Sequence, residues 1–169
     1  MSQRDSGYAR VAFDQYETPE WVTEALTPHF PHDAFIWEPA CGSGKMARVL
    51  KADLATDIQT GTDFLTMSAP EGIDAIITNP PYSIAAKFIQ HALRQNVDFV
   101  AMLLRTDFDH AKSRRYLFAD HPAFAKKLVL TKRIQWFEDS KSSPSFNHAW
   151  FIWDRQHKGA PVIAYHFED

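Results

Sequence analysis

The sequence predicts a single α/β domain whose sheet is mostly parallel, with an antiparallel edge near the C-terminus. Short apolar runs alternate with amphipathic segments along most of the chain, which is typical of parallel strands joined by crossover helices. The last apolar runs have no helical pattern between them, so we expect antiparallel pairing there. A length of 169 residues and a hydrophobic content of 45% fit one domain with a sizeable core.

The predicted strands are short apolar runs that end at turns or at charged residues. In chain order they span residues 34–38, 54–58, 73–78, 97–104, 127–131, 148–154 and 161–167. The third run is followed by Pro80 and Pro81, and proline ends a strand because it cannot donate a ladder hydrogen bond. The third strand is therefore expected to stop at residue 78.

Segments with helical spacing of apolar residues accompany these strands. They span residues 19–26, 45–52, 85–95 and 110–120. For the first helix, Thr18 is predicted as the N-cap and Pro19 as the first helical residue, since both positions favour these residue types. Residues 132–147 are predicted to form a long loop, which in a compact domain is often functional or disordered. Residues 1–15 are expected to be flexible.

The charge of the chain is divided unevenly. The net charge of −3 argues mildly against indiscriminate binding of nucleic acid. Residues 1–100 carry 7 Lys and Arg against 13 Asp and Glu, whereas residues 101–169 carry 11 against 8. Such a division would suit a protein that binds a cofactor with its acidic first part and a polyanion with its basic last part. An ordinary solvated surface can show the same charge distribution.

The cysteine and histidine content excludes several classes of site. Cys41 is the single cysteine, so the chain has no internal disulfide, which fits a reducing compartment. The histidines show no metal-ligand spacing, and no metal site is predicted. No apolar run approaches the length of a membrane span, and the first residues lack the apolar region of a secretory leader. These features predict a cytoplasmic protein that does not bind membranes.

Residues 38–45, EPACGSGK, form a turn rich in glycine between a predicted strand and a predicted helix. The pattern of a phosphate-binding loop would need glycine at position 39 and a hydroxyl residue at position 46. The sequence has Pro39 and Met46 there, so it lacks the residue that opens the loop and the residue that would hold magnesium. A nucleoside triphosphate site is therefore disfavoured.

The same turn favours an adenosine-bearing cofactor. Gly42 and Gly44 let the backbone approach a ligand closely. Asp57, at the end of the next predicted strand, is placed to accept hydrogen bonds from ribose hydroxyls. Ala47 also fits the looser form of the dinucleotide pattern, so the turn alone leaves nicotinamide cofactors open.

Residues 78–82, TNPPY, narrow the choice of chemistry. Neither proline carries an N–H, so the turn is stiff and offers only acceptors, to which Asn79 adds a side-chain oxygen. Tyr82 offers a flat face for a base, and stacking of this kind contributes about 1–3 kcal/mol. Acceptors on the N–H bonds of an aromatic amine localise its lone pair, which is a form of electrostatic catalysis. The motif predicts a site that makes a ring amine nucleophilic.

In this order and spacing, EPACGSGK and TNPPY resemble the cofactor and catalytic motifs of S-adenosylmethionine-dependent amino-methyltransferases. The N6-adenine DNA methyltransferases are the most similar branch, because their TP segment ahead of the cofactor loop is similar to YETPEWV at residues 16–22. The resemblance covers about residues 16–110. It implies a Rossmann-like class I methyltransferase fold, one catalytic domain over residues 1–169, S-adenosylmethionine as cofactor and adenine N6 in DNA as target.

The resemblance also implies roles for individual residues. The segment at residues 16–19 would cover the methionine part of the cofactor, Glu38 would meet its ammonium, Asp57 its ribose and Asp63 its adenine amine. The implied cofactor-binding set is Tyr16, Thr18, Pro19, Glu38, Ala40, Gly42, Gly44, Asp57, Asp63 and Phe64. The implied catalytic set is Asn79, Pro80, Pro81 and Tyr82.

The chain departs from the pattern of the resembling family in four respects. The family often has Asp where Glu38 stands, and Lys45 is unusual and has no assigned role. The segment between Asp57 and Asp63 is too short for the helix usually found there. The length leaves no room for a separate target-recognition domain. Contacts to a flipped-out base and its backbone would then come from loops, from a recognition subunit or from a second copy of the chain.

The candidate substrate-binding residues lie in the second, more basic part of the chain. Basic side chains could meet phosphates and aromatic side chains could stack on bases, whereas solvated helix charge and core filling are the alternatives. The candidates are Lys112, Arg114, Arg115, Lys132, Arg133, Lys141, Trp136 and Phe146. His148 lies beside the long loop, and we expect a structural role for it in preference to a contact with substrate. Methylation of an RNA base amine, of a protein glutamine amide, and a non-catalytic cofactor-binding subunit remain alternatives.

Overall fold

The computed structural model describes residues 16–137, 144 and 146–168. The strands are β1 (Ile36–Glu38), β2 (Leu54–Ala55), β3 (Ala75–Thr78), β4 (Phe99–Arg105), β5 (Phe124–Leu130), β6 (His148–Asp154) and β7 (Val162–His166). The α-helices are α1 (Glu20–Leu26), α2 (Lys45–Leu50) and α3 (Ala85–Arg94). The 3₁₀ helices are Thr27–His29, Ile58–Thr60, Phe64–Thr66, Tyr82–Ile84, Phe108–His110 and Lys112–Leu117. Helical segments separate the strands from β1 to β5, and the two short 3₁₀ helices between β2 and β3 were not predicted.

These strands form one sheet in the order β2-β1-β3-β4-β6-β5-β7. Strands β1 to β4 pair in parallel, whereas β6 is antiparallel to both β4 and β5. Strand β7 pairs in parallel with β5 at the sheet edge. The mostly parallel sheet with antiparallel strands near the C-terminus is therefore confirmed. The antiparallel strand itself lies inside the sheet, where its apolar run is buried on both faces.

The core fills both faces of the sheet. One face, against α3, carries a cluster that includes Trp37 and Trp153, and the opposite face, against α1 and α2, carries Trp150. The indole N–H of Trp150 donates to the carbonyl of Val22 at 2.8 Å, and that of Trp153 donates to the carbonyl of Leu117 at 2.7 Å. Each buried indole is thereby satisfied, so the tryptophans fix the flanking segments to the sheet.

The start of the first helix differs from the prediction. Helix α1 begins at Glu20, and Pro19 occupies the N-cap position without any side-chain cap. The hydroxyl of Thr18 was predicted to cap this helix, but it accepts a hydrogen bond from the side chain of Asn79 instead. The N-cap prediction was wrong because a residue distant in sequence competes for the same oxygen.

Two other elements are shorter or tighter than predicted. Strand β2 ends at Ala55, because the Asp57 carboxylate accepts from the N–H of Gln59 and starts a 3₁₀ turn. Residues 110–120 form the 3₁₀ helix Lys112–Leu117 instead of an α-helix. Their apolar residues are consecutive in sequence and leave no apolar face with α-helical spacing. Among the described helices, none combines the length and apolar character that crossing a bilayer requires.

Candidate active site

A cavity of about 530 Å³ lies where the parallel strands β1, β2 and β3 end, and both predicted motifs line it. The size is in the range of small-molecule and cofactor sites. The predicted residues on its wall are Tyr16, Thr18, Glu38, Ala40, Gly42, Asp57, Asp63, Phe64, Asn79 and Pro81. The predicted residues away from its wall are Pro19, Gly44, Pro80 and Tyr82 and the described substrate-contact candidates. The fold thus brings the cofactor motif and the catalytic motif to one site.

The glycine-rich turn is fixed by an aspartate from the next strand. The N–H of Gly42 donates to Oδ2 of Asp57 at 2.9 Å, and the N–H of Gln59 donates to Oδ1 of Asp57 at 2.9 Å. Asp57 is only 4% exposed. Gly42 and Gly44 both have positive φ, at 51° and 84°, which explains the need for glycine. Asp57 therefore joins the two loops that form one wall of the cavity.

Glu38 presents a buried carboxylate to the cavity. Its Oε1 accepts from the Thr78 hydroxyl at 3.4 Å, and its Oε2 has no hydrogen-bond partner in the structure. Burial raises the pKa of Glu38 to about 8, and the nearby Asp57 charge adds to the rise. Hydrogen bonds from Thr78 and from the backbone of Ala47 oppose this rise in pKa. With a pKa of about 8 the buried acid is mostly protonated at neutral pH in the unliganded protein, and a cation bound beside it would favour the carboxylate.

Glu38 also makes the stability of the unliganded protein depend on pH. The pKa is about 8 in the folded protein and 4.5 ordinarily, so this group's contribution to the unfolding free energy is lost as the pH rises between those values. We expect Glu38→Gln to match the wild type at pH 5 and to exceed its Tm by about 3 °C or more at pH 8. Thermal melts monitored by circular dichroism test this, and parallel pH profiles for the two proteins would contradict it.

Asn79 lines the cavity and carries a buried acceptor. Its Nδ2 donates to Oγ1 of Thr18 at 3.2 Å and to the carbonyl of Tyr16 at 3.5 Å. Its Oδ1 is buried and has no hydrogen-bond partner in the structure. Because a carbonyl can only accept, the Tyr16 contact fixes which end of the amide faces which way. Thr18 and Tyr16 therefore hold the amide so that its oxygen is available to a donor.

Asp63 and Phe64 line the same cavity from the segment that follows β2. The N–H of Leu65 donates to Oδ1 of Asp63 at 3.0 Å, which orients the carboxylate at the start of a 3₁₀ turn. Phe64 is 1% exposed and contacts the rings of Trp37 and Phe88 at centroid distances of 5.1 and 4.9 Å. Phe64 is thus a core side chain as well as part of the cavity wall.

Aromatic side chains extend from the catalytic turn towards the long loop. Tyr82 lies 6.0 Å from the ring of His148, and Trp136 lies 5.2 Å from His148 and 5.5 Å from Tyr16, measured between ring centroids. His148 is 2% exposed, and burial together with the Arg105 charge lowers its pKa to about 4. His148 is therefore a neutral packing residue at physiological pH, as the sequence favoured.

Several candidate substrate contacts are engaged within the protein. Arg114 donates to the carbonyl of Phe108 at 2.6 Å, and Arg115 pairs with Asp120 at 2.8 Å. Arg133 donates to Oδ1 of Asn147 at 3.0 Å.

Other substrate candidates rest against aromatic rings. Lys132 lies 5.5 Å from the ring centroid of Trp21, and Arg105 lies 3.9 Å from that of Phe146. Lys141 lies outside the described residues. Within the described part of the chain, no group of three or more acidic, cysteine or histidine side chains could hold a metal.

Two contributors to the site were not predicted from the sequence: Thr78, which donates to Glu38, and Lys45, which lines the cavity. Thr18 was predicted as a site residue, but its contact with Asn79 was not. The sequence did offer a sign that Thr78 belongs to the site, because it ends strand β3 directly before Asn79. No signal existed for the pairing of Thr18 with Asn79, because 61 residues separate them.

Several solved structures share this fold, and three of the four reported below are described as methyltransferases or as a dimethyladenosine transferase. The 23S rRNA methyltransferase ErmE matches with a TM-score of 0.54 and 17% identity over 86% of this chain and 70% of its own. A dimethyladenosine transferase from Plasmodium falciparum matches with a TM-score of 0.56 and 14% identity over 83% and 62%. The type IIG restriction endonuclease BpuSI matches with a TM-score of 0.54 and 13% identity over 88% and 26%.

A protein of Listeria monocytogenes described as a class I S-adenosylmethionine-dependent methyltransferase matches with a TM-score of 0.57 and 11% identity, over 86% of this chain and 61% of its own. No family model matches the sequence, and no curated protein matches it either. The chain spans less than two thirds of three of these four structures. At identities this low, the structural likeness shows the fold alone: the chain has the Rossmann-like class I methyltransferase fold.

Proposed function

We propose that the chain is an S-adenosylmethionine-dependent methyltransferase that acts on an exocyclic base amine, with adenine N6 in DNA as the favoured target. The observation that carries the proposal is the buried Oδ1 of Asn79, an acceptor with no partner on the wall of a cofactor-sized cavity. An amine donor in the cavity would satisfy this oxygen. A purely structural turn would have no reason to hold a buried amide in that orientation.

The residues present fit the proposed cofactor. Glu38 offers a buried carboxylate for a cationic group, and its orphan Oε2 is the strongest sign of one. Asp57 keeps acceptor capacity for ribose hydroxyls beside its two backbone contacts. Asp63 lies on the same wall, where an adenine amine would find an acceptor. When bound, the cofactor supplies a methyl group on a sulfonium, which is transferred to the amine nitrogen.

The protein's part in the chemistry is to make an aromatic amine nucleophilic. Asn79 Oδ1 accepts one N–H of the amine, and a carbonyl of the following turn is available for the other. Pro80 and Pro81 carry no N–H, so the turn presents no competing donor. Localising the nitrogen lone pair in this way needs no strong base. The amine proton leaves after the new N–C bond has formed and the nitrogen carries the positive charge. Tyr82 follows the two prolines and its ring lies 6.0 Å from that of His148, and we assign stacking on the base to this ring.

The nature of the substrate is supported by charge and by structural likeness. Lys132 and Arg133 follow the carboxyl end of β5. Strand β5 runs in the same direction as β4, so both residues lie on the side of the sheet where the strands around the cavity also end. Three structures with this fold are named for work on nucleic acid, namely ErmE, the dimethyladenosine transferase and the BpuSI restriction endonuclease. The first two names favour an RNA base amine as the second candidate.

The proposal is tested by transfer of a labelled methyl group to a panel of duplex DNA, single-stranded DNA, RNA and protein, followed by nucleoside analysis. We expect label in N6-methyladenine from DNA. N6-methyladenosine from RNA alone would select the second candidate. Label in protein glutamine, or in no substrate, would contradict a base-amine methyltransferase.

Binding of nucleic acid should depend steeply on salt. If basic side chains at the cavity edge meet phosphates, the affinity should fall about tenfold or more between 50 and 200 mM salt, because counterions are released. Lys132→Ala should weaken binding and flatten this dependence. Lys158→Ala is the matched control. Lys158 follows β6, which runs opposite to β4, so it lies on the side of the sheet away from the cavity, and its replacement should leave the affinity and its salt dependence unchanged. Fluorescence anisotropy measures them, and salt-independent binding would contradict phosphate contacts.

A further inference from the structure

The charges around the cavity are strongly unequal. Four acidic side chains line it, Glu17, Glu38, Asp57 and Asp63, and Glu38 is the one whose pKa burial raises to about 8. Among the described residues on the wall, Lys45 is the single basic side chain. The proposed cofactor carries a carboxylate in addition to its two cationic groups. That carboxylate would be repelled by the acidic wall unless a cation lies close to it.

Lys45 is well placed to be that cation. It is the first residue of α2 and directly follows the glycine-rich turn that carries Gly42. It is half-buried, and it makes no ion pair with the described residues. The next basic residue of the helix, Arg48, is exposed, lies away from the cavity wall and donates to the carbonyl of Ser43 at 3.2 Å.

We propose that Lys45 binds the carboxylate of the cofactor's amino-acid group, while Glu38 binds its ammonium. This inference rests on the proposed use of S-adenosylmethionine. The two side chains lie on opposite sides of the same turn, Glu38 at the end of β1 and Lys45 at the start of α2. An α-amino acid group carries adjacent opposite charges, so an acid and a base facing one cavity recognise it together.

Two ligands that differ by one carboxylate test the assignment. Isothermal titration should show that Lys45→Met weakens binding of S-adenosylmethionine about 10- to 100-fold, the usual range for a charged hydrogen bond. Binding of decarboxylated S-adenosylmethionine, which keeps the ammonium and the sulfonium, should not weaken. Lys45→Arg should retain most of the affinity, Arg48→Met should change neither ligand, and Glu38→Gln should weaken both.

The outcomes separate this inference from the proposed function. If the wild-type chain binds neither ligand, the proposed cofactor is wrong and the role of Lys45 is wrong with it. If the wild type binds S-adenosylmethionine and Lys45→Met binds it equally well, only the role of Lys45 is overturned, and backbone N–H groups of the turn hold the carboxylate. Equal weakening of both ligands by Lys45→Met would also overturn it. Thermal melts of each variant confirm that it is folded.

Discussion

Asn79→Ala is expected to reduce the rate of methyl transfer about 10²- to 10³-fold or more, and to change the dissociation constant of S-adenosylmethionine less than about threefold. The rate loss is the usual cost of removing one preorganised electrostatic group from a reacting centre. The cofactor affinity survives because the acidic residues that would hold it, Glu38 and Asp57, do not contact Asn79 in the structure. Single-turnover assays and isothermal titration measure the two quantities separately.

Thr18 provides the matched variants for this experiment. Thr18→Val keeps the shape and removes the oxygen that accepts from Asn79 Nδ2 at 3.2 Å, so only the longer contact to the Tyr16 carbonyl, at 3.5 Å, still orients the amide. We expect a reduced rate for Thr18→Val and a rate close to the wild type for Thr18→Ser. Full activity of Asn79→Ala would contradict the catalytic role. Loss of cofactor binding in that variant would show that Asn79 belongs to the cofactor site.

Asp57→Ala is expected to abolish the thermal stabilisation that S-adenosylmethionine gives the wild-type chain. The change removes the ribose acceptor and also the contacts to the N–H groups of Gly42 and Gln59, both at 2.9 Å. The glycine-rich turn then loses its anchor on the strand-β2 loop, so affinity should fall about 100-fold or more, in line with the loss of several charged hydrogen bonds. A ligand-induced shift in Tm is the measurement.

Asp53→Ala is the matched control for Asp57→Ala. Asp53 also accepts from a backbone N–H, that of Ile36 at 2.8 Å, but it does not line the cavity. The control variant should lose stability and still respond to the cofactor. A cofactor-induced shift of wild-type size in Asp57→Ala would remove Asp57 from the site. Equal loss of the shift in both variants would attribute it to general destabilisation.

The parts of the site that local sequence determines could be predicted. Gly42 and Asn79 each follow a predicted strand and Asp57 lies at the end of one, and parallel strands bring their carboxyl ends to the same side of the sheet. The positive φ of Gly42 and the missing N–H groups of the two prolines are properties of the residue types themselves. Chain order and residue chemistry therefore predicted a cavity between the two motifs, and the structure contains it.

The parts that depend on contacts between distant residues could not be predicted. Thr18 had a good local role as a helix cap, and only the folded chain shows that Asn79 takes its oxygen. Strand β6 is antiparallel but internal, because its buried run needs partners on both sides, and sequence order does not reveal which.

The central claim is that one cavity holds the cofactor with its transferable methyl group facing Asn79. A crystal structure of the chain with S-adenosylhomocysteine or sinefungin tests it most directly. We expect the ribose at Asp57 and the amino-acid group between Glu38 and Lys45. The sulfur, or the atom in its place, should face Asn79 Oδ1, with room for one amine nitrogen between that atom and the oxygen. An adenosine ligand bound elsewhere, or a sulfur turned away from Asn79, would contradict it.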